Sequence, residues 1–174
     1  MRKLVYHVAS TLDGFIADRD HDVSAFPTTG DHVDEYLSSL RSYGAVVMGR
    51  ATYELGLRFG VEDPYPWLDT FVVSRTMAAS PHPHVKLEPD GVDLARRLRA
   101  EDGAPVYLCG GGVLAGALFD ASLVDEVGGK LNPLLFGDGL GLTGRLARAR
   151  PLRLASAKVH DSGVVVLRYA VDAA

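Results

Sequence analysis

Three consecutive glycines after an apolar, β-prone run are the residues of this chain best suited to hold an anion. Residues 106–109 form that run, and a helix-forming segment follows the glycines at once. Glycines let the backbone approach a ligand closely, and the N–H groups of the turn and of the first helical turn point at it. The predicted phosphate-binding junction consists of Gly110, Gly111, Gly112, Val113 and Leu114.

A second strand-to-helix junction has the same construction and adds a fixed positive charge. An apolar run over 45–48 is followed by Gly49, Arg50, Ala51 and Thr52. Two such junctions in one small domain predict a ligand with more than one phosphate group. The alternative is a surface arginine beside a threonine that caps the helix.

The histidines and the single cysteine offer weaker signals. His82 and His84 flank a proline, and two histidines hold a metal only with a third and a fourth ligand. The surrounding prolines indicate an exposed loop, so we predict no metal site. Cys109 is either a reactive thiol beside the glycine turn or a small apolar residue at the end of a buried strand. A lone thiol suits a reducing cytoplasm.

Length and charge exclude several classes of protein. The chain has 174 residues, which fits one domain over 1–174, and its net charge of −4 gives no broad basic face for nucleic acid. No apolar run approaches the roughly 20 residues of a membrane span, and a strand pattern starts at residue 3. We therefore expect a cytoplasmic protein that does not insert into membranes.

The elements that position the junctions alternate between strand and helix. Val33, Tyr36, Leu37 and Leu40 recur at helical spacing, with Asp31 as the predicted N-cap. The predicted helices are 31–42, 50–58, 92–100 and 112–119. The predicted strands are 3–10, 45–48, 70–74, 105–109, 123–131, 152–160 and 164–171. Residues 132–144 are predicted to form a loop.

This alternation predicts an α/β fold. The first two thirds of the chain indicate parallel βαβ crossovers, and the turn at 161–163 indicates a C-terminal antiparallel hairpin. The expected architecture is a three-layer sandwich with a central mixed, mostly parallel sheet flanked by helices. In such sheets ligands bind at the carboxyl ends of the strands, where both glycine junctions lie.

Five segments in order carry a resemblance to a known family. They are STLDGFIA at 10–17, VMGRATYE at 47–54, VVSRT at 72–76, GGGVL at 110–114 and LVDE at 123–126. With these segments the chain resembles the dihydrofolate reductase superfamily. It is closest to the branch that contains the reductase domain of the bifunctional riboflavin-biosynthesis deaminase–reductase.

The resemblance implies an NADPH site. Gly49 to Thr52 would contact the cofactor phosphates, and Gly110 to Leu114 would lie against the pyrophosphate. Ser74, Arg75 and Thr76 would face the adenosine 2′-phosphate. An arginine suits a 2′-phosphate because its guanidinium is planar and always charged. Ala9, Ile16 and Ala17 would flank the nicotinamide.

The resemblance also implies an acidic residue on the first helix that assists protonation of the substrate. The candidates are Asp31, Asp34 and Glu35, although each needs a one-residue shift to match the family spacing. The alternative for each is a capping or solvent-facing carboxylate. The tryptophan expected in the loop after the first strand is also absent from residues 18–30.

The expected activity is hydride transfer from NADPH to a small heterocyclic, pterin- or pyrimidine-like, or carbonyl substrate. One alternative is the 5-amino-6-(5-phosphoribosylamino)uracil reductase of riboflavin biosynthesis, with Arg58 and Lys130 as candidate cations for the substrate phosphate. Another is a protein that binds NADPH without turnover.

Three structural alternatives also follow from the residues. The turn at Asp13 and Gly14 either lies near the nicotinamide or only bends the first strand. Tyr65 and Trp67 either wall the substrate pocket or anchor their loop. The long apolar strands at 152–160 and 164–171 either form a homodimer edge or lie inside the sheet.

Overall fold

An eight-stranded sheet forms the centre of the molecule, in a computed structural model that describes residues 1–172. Its strand order is β5-β4-β3-β6-β1-β7-β10-β9. The strands are β1 (Leu4–Thr11), β2 (Phe15–Asp18), β3 (Ala45–Gly49), β4 (Asp69–Val73), β5 (Val85–Glu88), β6 (Val106–Gly110), β7 (Glu126–Asn132), β8 (Gly139–Gly141), β9 (Leu152–Val159) and β10 (Val165–Val171). The helices are α1 (Asp31–Ser39), α2 (Arg50–Arg58), α3 (Gly91–Ala100) and α4 (Gly112–Asp120), and a 3-10 turn follows α1 over Leu40–Ser42.

The strands from β5 to β7 in this order are all parallel. Strand β10 pairs antiparallel with β7 on one side and with β9 on the other. Consequently the carboxyl ends of β4, β3, β6 and β1 meet in that order along one edge. Each of the first three is followed by one of the predicted cofactor-binding segments. A separate two-stranded ribbon of β2 and β8 lies beside this edge.

Two apolar cores cover the two faces of the sheet. Leu4, Tyr6 and Val8 of β1 pack with the residues of α3 and α4, such as Leu94 and Leu118. Val5 packs on the opposite face, with Leu40, Tyr43 and Tyr53. The alternation along β1 therefore buries both of its faces, as expected for an interior parallel strand. The predicted three-layer α/β architecture is confirmed.

The structure corrects several details of the sequence interpretation. Residues 85–88 form a strand, residues 15–18 and 139–141 form the small ribbon, and none of these three was predicted. Gly30, and not Asp31, occupies the N-cap position of α1, which ends at Ser39. Strand β7 begins at Glu126, three residues later than predicted. The C-terminal hairpin is confirmed, with β10 inside the sheet and β9 at its edge.

Within residues 1–172, no helix is long and apolar enough to cross a membrane.

Candidate functional site

The two glycine junctions lie side by side at the carboxyl edge of the sheet. A Cβ atom added at Gly49 would stand 3.5 Å from the backbone nitrogen of Gly111. Cβ atoms added at Gly110 and Gly111 would stand 3.7 and 3.5 Å from the Thr52 hydroxyl oxygen. Gly110 has a φ of +131°, which disfavours any side chain there. Small residues therefore keep two helix N-termini within a few ångströms of each other.

The N-termini of α2 and α4 differ from that of α3 in their capping. The Asp90 carboxylate caps α3 by accepting hydrogen bonds from the N–H groups of Val92 and Asp93, at 2.8 and 3.0 Å. Helices α2 and α4 have glycine at the N-cap, and no side chain of residues 1–172 caps either of them. Their first N–H groups are left for solvent or a ligand, and both dipoles favour an anion.

Gly112 is held under a glycine-rich segment, residues 137–144. Its carbonyl oxygen accepts a hydrogen bond from the Gly144 N–H at 2.6 Å. A Cβ atom at Gly112 would overlap the carbonyl oxygen of Gly141. The Tyr6 hydroxyl donates to the Leu142 carbonyl at 2.5 Å and holds the same segment from below. The third glycine of the motif is thus required by close backbone packing.

Arg50 begins α2 and lies half exposed at the rim of this edge. Its guanidinium forms an i,i+4 ion pair with Glu54, with 3.2 Å between nitrogen and oxygen. Ala51 is exposed beside it, and Thr52 is partly buried against the glycines. An exposed ion pair of this kind is weak, so Arg50 is free to turn toward an anion at little energetic cost.

Ser74, Arg75 and Thr76 follow β4 at the far end of the same edge. The Ser74 hydroxyl oxygen accepts hydrogen bonds from the N–H groups of Thr76 and Met77, at 3.2 and 2.9 Å, which fixes a tight turn. Arg75 is exposed on this turn. Backbone N–H donors of α3 lower the pKa of Asp90, and the nearby Arg75 and Arg96 lower it further.

The predicted nicotinamide-flanking residues lie around the end of β1. Ala9 is paired with Lys130 across the β1–β7 ladder. Ile16 packs on the α3–α4 core, and Ala17 is buried in β2. The Asp13 carboxylate accepts hydrogen bonds from the N–H groups of Phe136 and Gly137, at 3.3 and 2.7 Å. The Asp13 turn therefore anchors the segment that follows β7.

A shallow crevice lies between α1 and the sheet. His7, Tyr36, Lys130 and Arg168 are among its lining residues. The Lys130 ammonium lies 4.6 Å from the centre of the Tyr36 ring. Burial lowers the pKa of Lys130. Burial, together with the charges of Arg168 and Lys130, lowers the pKa of His7 to about 4, so this imidazole is neutral at pH 7.

The three predicted acidic residues on α1 do not converge on this crevice. Asp31 is exposed and accepts a hydrogen bond from His160 Nδ1 at 2.7 Å, which lowers its pKa. Glu35 borders the crevice, but its carboxylate is bonded to the Lys158 ammonium, which lowers its pKa. Asp34 is exposed to solvent. The lowered pKa values hold Asp31 and Glu35 ionised at neutral pH, so neither is a ready proton donor.

A cluster of aromatic side chains connects Tyr36, which lines the crevice, with β6. The hydroxyl groups of Tyr36 and Tyr107 lie 2.6 Å apart, and the Tyr65 hydroxyl lies 3.4 Å from Cys109 Sγ. Burial raises the pKa of the Cys109 thiol, which argues against a reactive thiolate. Tyr65 packs edge-on against Tyr107 and anchors its loop, whereas Trp67 is 45 % exposed beside Arg41.

The sequence analysis named Lys130 only as a candidate cation for a substrate phosphate, and it did not single out His7. The signal in the sequence is a lysine within residues 127–131, where all the other residues are apolar or glycine. A charged side chain in such a strand indicates a position beside a binding site. Arg58, the other cation considered, is exposed at the opposite end of α2 from the junctions.

Comparisons with known proteins identify a family for this chain. Residues 66–166 match the family model described as the RibD C-terminal domain. The chain is 27 % identical to the Bacillus subtilis (strain 168) protein YwjB over 167 residues, which cover 94 % of this chain and 95 % of that protein.

Two solved structures share the architecture. A putative riboflavin biosynthesis protein from Shewanella sp. PV-4 is 25 % identical, with a TM-score of 0.85 over 98 % of this chain and 99 % of that one. The Enterococcus faecalis dihydrofolate reductase complexed with NADP(H) is 16 % identical, with a TM-score of 0.72 over 98 % and 97 %. The predicted dihydrofolate reductase-like fold is confirmed.

Proposed function

The chain belongs to the RibD C-terminal domain family, and we propose that it is an NADPH-dependent reductase of a small heterocyclic, pterin- or pyrimidine-like, or carbonyl substrate. The observation that carries this proposal is the row of three junctions along one sheet edge. The junctions after β4, β3 and β6 are adjacent, and two of them present uncapped helix N-termini. The dihydrofolate reductase of the same fold binds NADP(H), which supports the choice of cofactor.

The residues present fit such a cofactor. The N–H groups at the starts of α2 and α4 would hold the pyrophosphate, with Gly49 to Thr52 on one side and Gly110 to Leu114 on the other. Arg75, with Ser74 and Thr76, would bind the 2′-phosphate, because a guanidinium matches phosphate geometry. Ala9, Ile16 and Ala17 would flank the nicotinamide. The bound cofactor supplies the hydride.

Reduction of a C=N or C=O bond also takes up one proton, which a side chain at the site can donate. Lys130 is the best candidate, because it pairs with Ala9 across the β1–β7 ladder and its pKa is lowered by burial. A lowered pKa makes an ammonium a better acid at neutral pH. Asp31, Asp34 and Glu35 are less suited, since hydrogen bonds from His160 and Lys158 lower the pKa values of Asp31 and Glu35, and Asp34 is exposed to solvent.

A second candidate is the reduction of 5-amino-6-(5-phosphoribosylamino)uracil in riboflavin biosynthesis. The family and the similar Shewanella protein favour it. Lys130 and Arg168 line the same crevice, so two cations are available for a phosphorylated substrate. Expression in a strain that lacks this reductase step tests the proposal. Growth without riboflavin supports it, and failure of a stably expressed protein to rescue growth rejects it.

A protein that only binds NADPH remains the third alternative. Steady-state oxidation of NADPH with pterin, pyrimidine and carbonyl acceptors separates it from the reductase. Turnover with any acceptor excludes a binding-only role, whereas tight binding with no oxidation across all three classes favours it.

The cofactor proposal is tested by titration calorimetry with NADPH and NADH. We expect Arg75→Gln to weaken NADPH binding roughly 10- to 100-fold, because a charge-assisted bond to the 2′-phosphate is lost. NADH binding should change little, since NADH lacks that phosphate. Arg148→Gln, which removes an exposed arginine from another loop, is the matched control and should leave both affinities unchanged. Equal weakening of NADPH and NADH would contradict the role of Arg75.

A further inference from the structure

A carboxylate and two imidazoles converge outside the site described above. Asp63 lies in the loop between α2 and β4, and His82 and His84 lie in the loop that leads into β5. One ligand atom from each residue lies within 4.8 Å of the other two. The sequence alone did not predict a metal site here because it offered two histidines and no third ligand. Asp63, about twenty positions upstream, is that ligand.

The distances suit a small divalent cation. Asp63 Oδ2 lies 2.8 Å from His84 Nδ1 and 3.9 Å from His82 Nδ1. Tetrahedral Zn²⁺ with bonds of about 2.0–2.1 Å places its ligand atoms roughly 3.3 Å apart, between these two values. Coordination therefore requires the His84 ring to move away from the Asp63 carboxylate and the His82 ring to move toward it, each by about half an ångström.

The carboxylate is already oriented for this role. Its side chain is 8 % exposed, while both imidazoles are 36 % exposed, so the open side of the cluster faces solvent. Asp63 Oδ1 accepts a hydrogen bond from the Tyr65 N–H at 3.3 Å, which leaves Oδ2 turned toward the histidines. Such outer contacts fix the direction of a metal ligand.

A buried tyrosine holds the two loops together without any metal. The Tyr53 hydroxyl donates to the Glu62 carbonyl at 2.7 Å and lies 3.1 Å from the Ser80 hydroxyl. Glu62 precedes Asp63 and Ser80 lies two residues before His82. The two loops are therefore already close together without a cation. Binding a cation then costs less conformational entropy, because the loops need little further ordering.

From these contacts we propose that Asp63, His82 and His84 form a Zn²⁺ site that joins the two loops. Two imidazole nitrogens and one carboxylate oxygen are a donor set that Zn²⁺ accepts, with water in the fourth position. The cation replaces the His84–Asp63 hydrogen bond and the 3.3 Å contact between the His84 N–H and His82 Nδ1. The cation would tie the loop before β4 to the loop before β5.

The test is Zn²⁺ titration of the metal-free protein by calorimetry, with thermal unfolding in Zn²⁺ and in EDTA. We expect one Zn²⁺ per chain and a melting temperature raised by roughly 5–10 °C at a hundredfold excess over Kd. Asp63→Asn and His82→Ala should each weaken binding at least tenfold and remove the thermal shift. His21→Ala, at an exposed histidine in another loop, should retain both.

Two results would overturn the proposal. One is wild-type protein that shows no Zn²⁺-dependent shift in melting temperature. The other is binding of equal affinity and stoichiometry in the wild type, Asp63→Asn and His82→Ala, which would place the ion elsewhere. Circular dichroism of each variant shows whether it is folded. If Asp63→Asn does not fold, Asp63→Glu replaces it in the test; because this variant keeps the carboxylate, it should bind Zn²⁺ with part of the wild-type affinity.

Discussion

At the scale of single residues, the crevice holds a lysine, Lys130, whose pKa is lowered by burial. Lys130 and Arg168 share the crevice with His7, and both lower the pKa of that imidazole. The carboxylates nearest to the crevice are already paired with Lys158 and His160. The acidic proton donor expected from the family resemblance is therefore less suited than a lysine on β7.

Replacement of Lys130 tests this assignment. Lys130→Met keeps the length of the side chain and removes the acidic proton, so we expect kcat to fall roughly 10²- to 10⁴-fold. Binding of NADPH should be unchanged in a calorimetric titration. In the wild type, kcat should decline as pH rises through the pKa of Lys130, which lies below that of an ordinary lysine. Lys86→Met on the exposed face of β5 is the control, and full activity of Lys130→Met would reject the role.

The buried imidazole of His7 makes stability depend on pH. Its pKa is about 4 in the folded protein, against 6.5 for the ordinary group, so the fold favours the neutral form. The contribution of neutral His7 to the free energy of unfolding is complete above pH 6.5. It is lost as the pH falls from 6.5 toward 4, because in that range the imidazole takes up a proton in the unfolded chain but not in the folded protein. The loss amounts to about 3 kcal/mol.

Urea unfolding of wild type and His7→Leu between pH 7 and 4 measures this contribution. The wild type should lose stability steadily over the range, and the variant should lose clearly less because it has no proton to gain. His21→Leu should behave as the wild type. If the free energy of unfolding depended on pH equally in His7→Leu and in the wild type, the lowered pKa of His7 would be contradicted.

At the scale of elements, the glycine-rich segment 137–144 and the start of α4 are packed too closely for side chains. We expect Gly112→Ala to lower the free energy of unfolding by about 1–3 kcal/mol, because the new Cβ overlaps the Gly141 carbonyl. Gly129→Ala, whose Cβ would meet the Val8 carbonyl at an ordinary 3.7 Å, is the control. Unfolding in urea measures both, and equal stability of Gly112→Ala and the wild type would show that the segment moves away freely.

Some helices and strands could be predicted from the sequence and others could not. The main helices and buried strands were predicted to within a few residues, since periodicity and glycines mark their ends. Strands β2, β5 and β8 have only three or four residues, and pairing with distant partners holds them in place. Tertiary contact also explains why the sequence did not group Asp63 with His82 and His84, because nothing in its local sequence indicates the two histidines.

At the scale of the whole molecule, no other segment of residues 1–172 covers the β9 edge of the sheet. Strand β9 is exposed along its length, and Leu152, Leu154 and Val159 are 43, 53 and 74 % exposed. Leu154 and Val159 pair with Tyr169 and Val165 of β10, so the apolar side chains of both strands share one face. An open apolar edge of this kind is usually covered.

We propose that two copies of the chain form a homodimer through β9. Light scattering during size-exclusion chromatography should give twice the chain mass of 18.6 kDa. Leu154→Lys should shift the protein toward the monomer, because it places a charge in the middle of the contact. Leu135→Lys, at an equally exposed leucine in a loop, should remain dimeric. A wild-type monomer at micromolar concentration would reject the proposal.

The central claim is that adjacent junctions at one sheet edge form a dinucleotide site, and a crystal structure of the protein grown with NADPH tests it most directly. The pyrophosphate should lie between the N-termini of α2 and α4, the 2′-phosphate against Arg75, and the nicotinamide beside Ala9 and Lys130. A cofactor bound elsewhere, or these N–H groups occupied only by water at saturating NADPH, would contradict the claim.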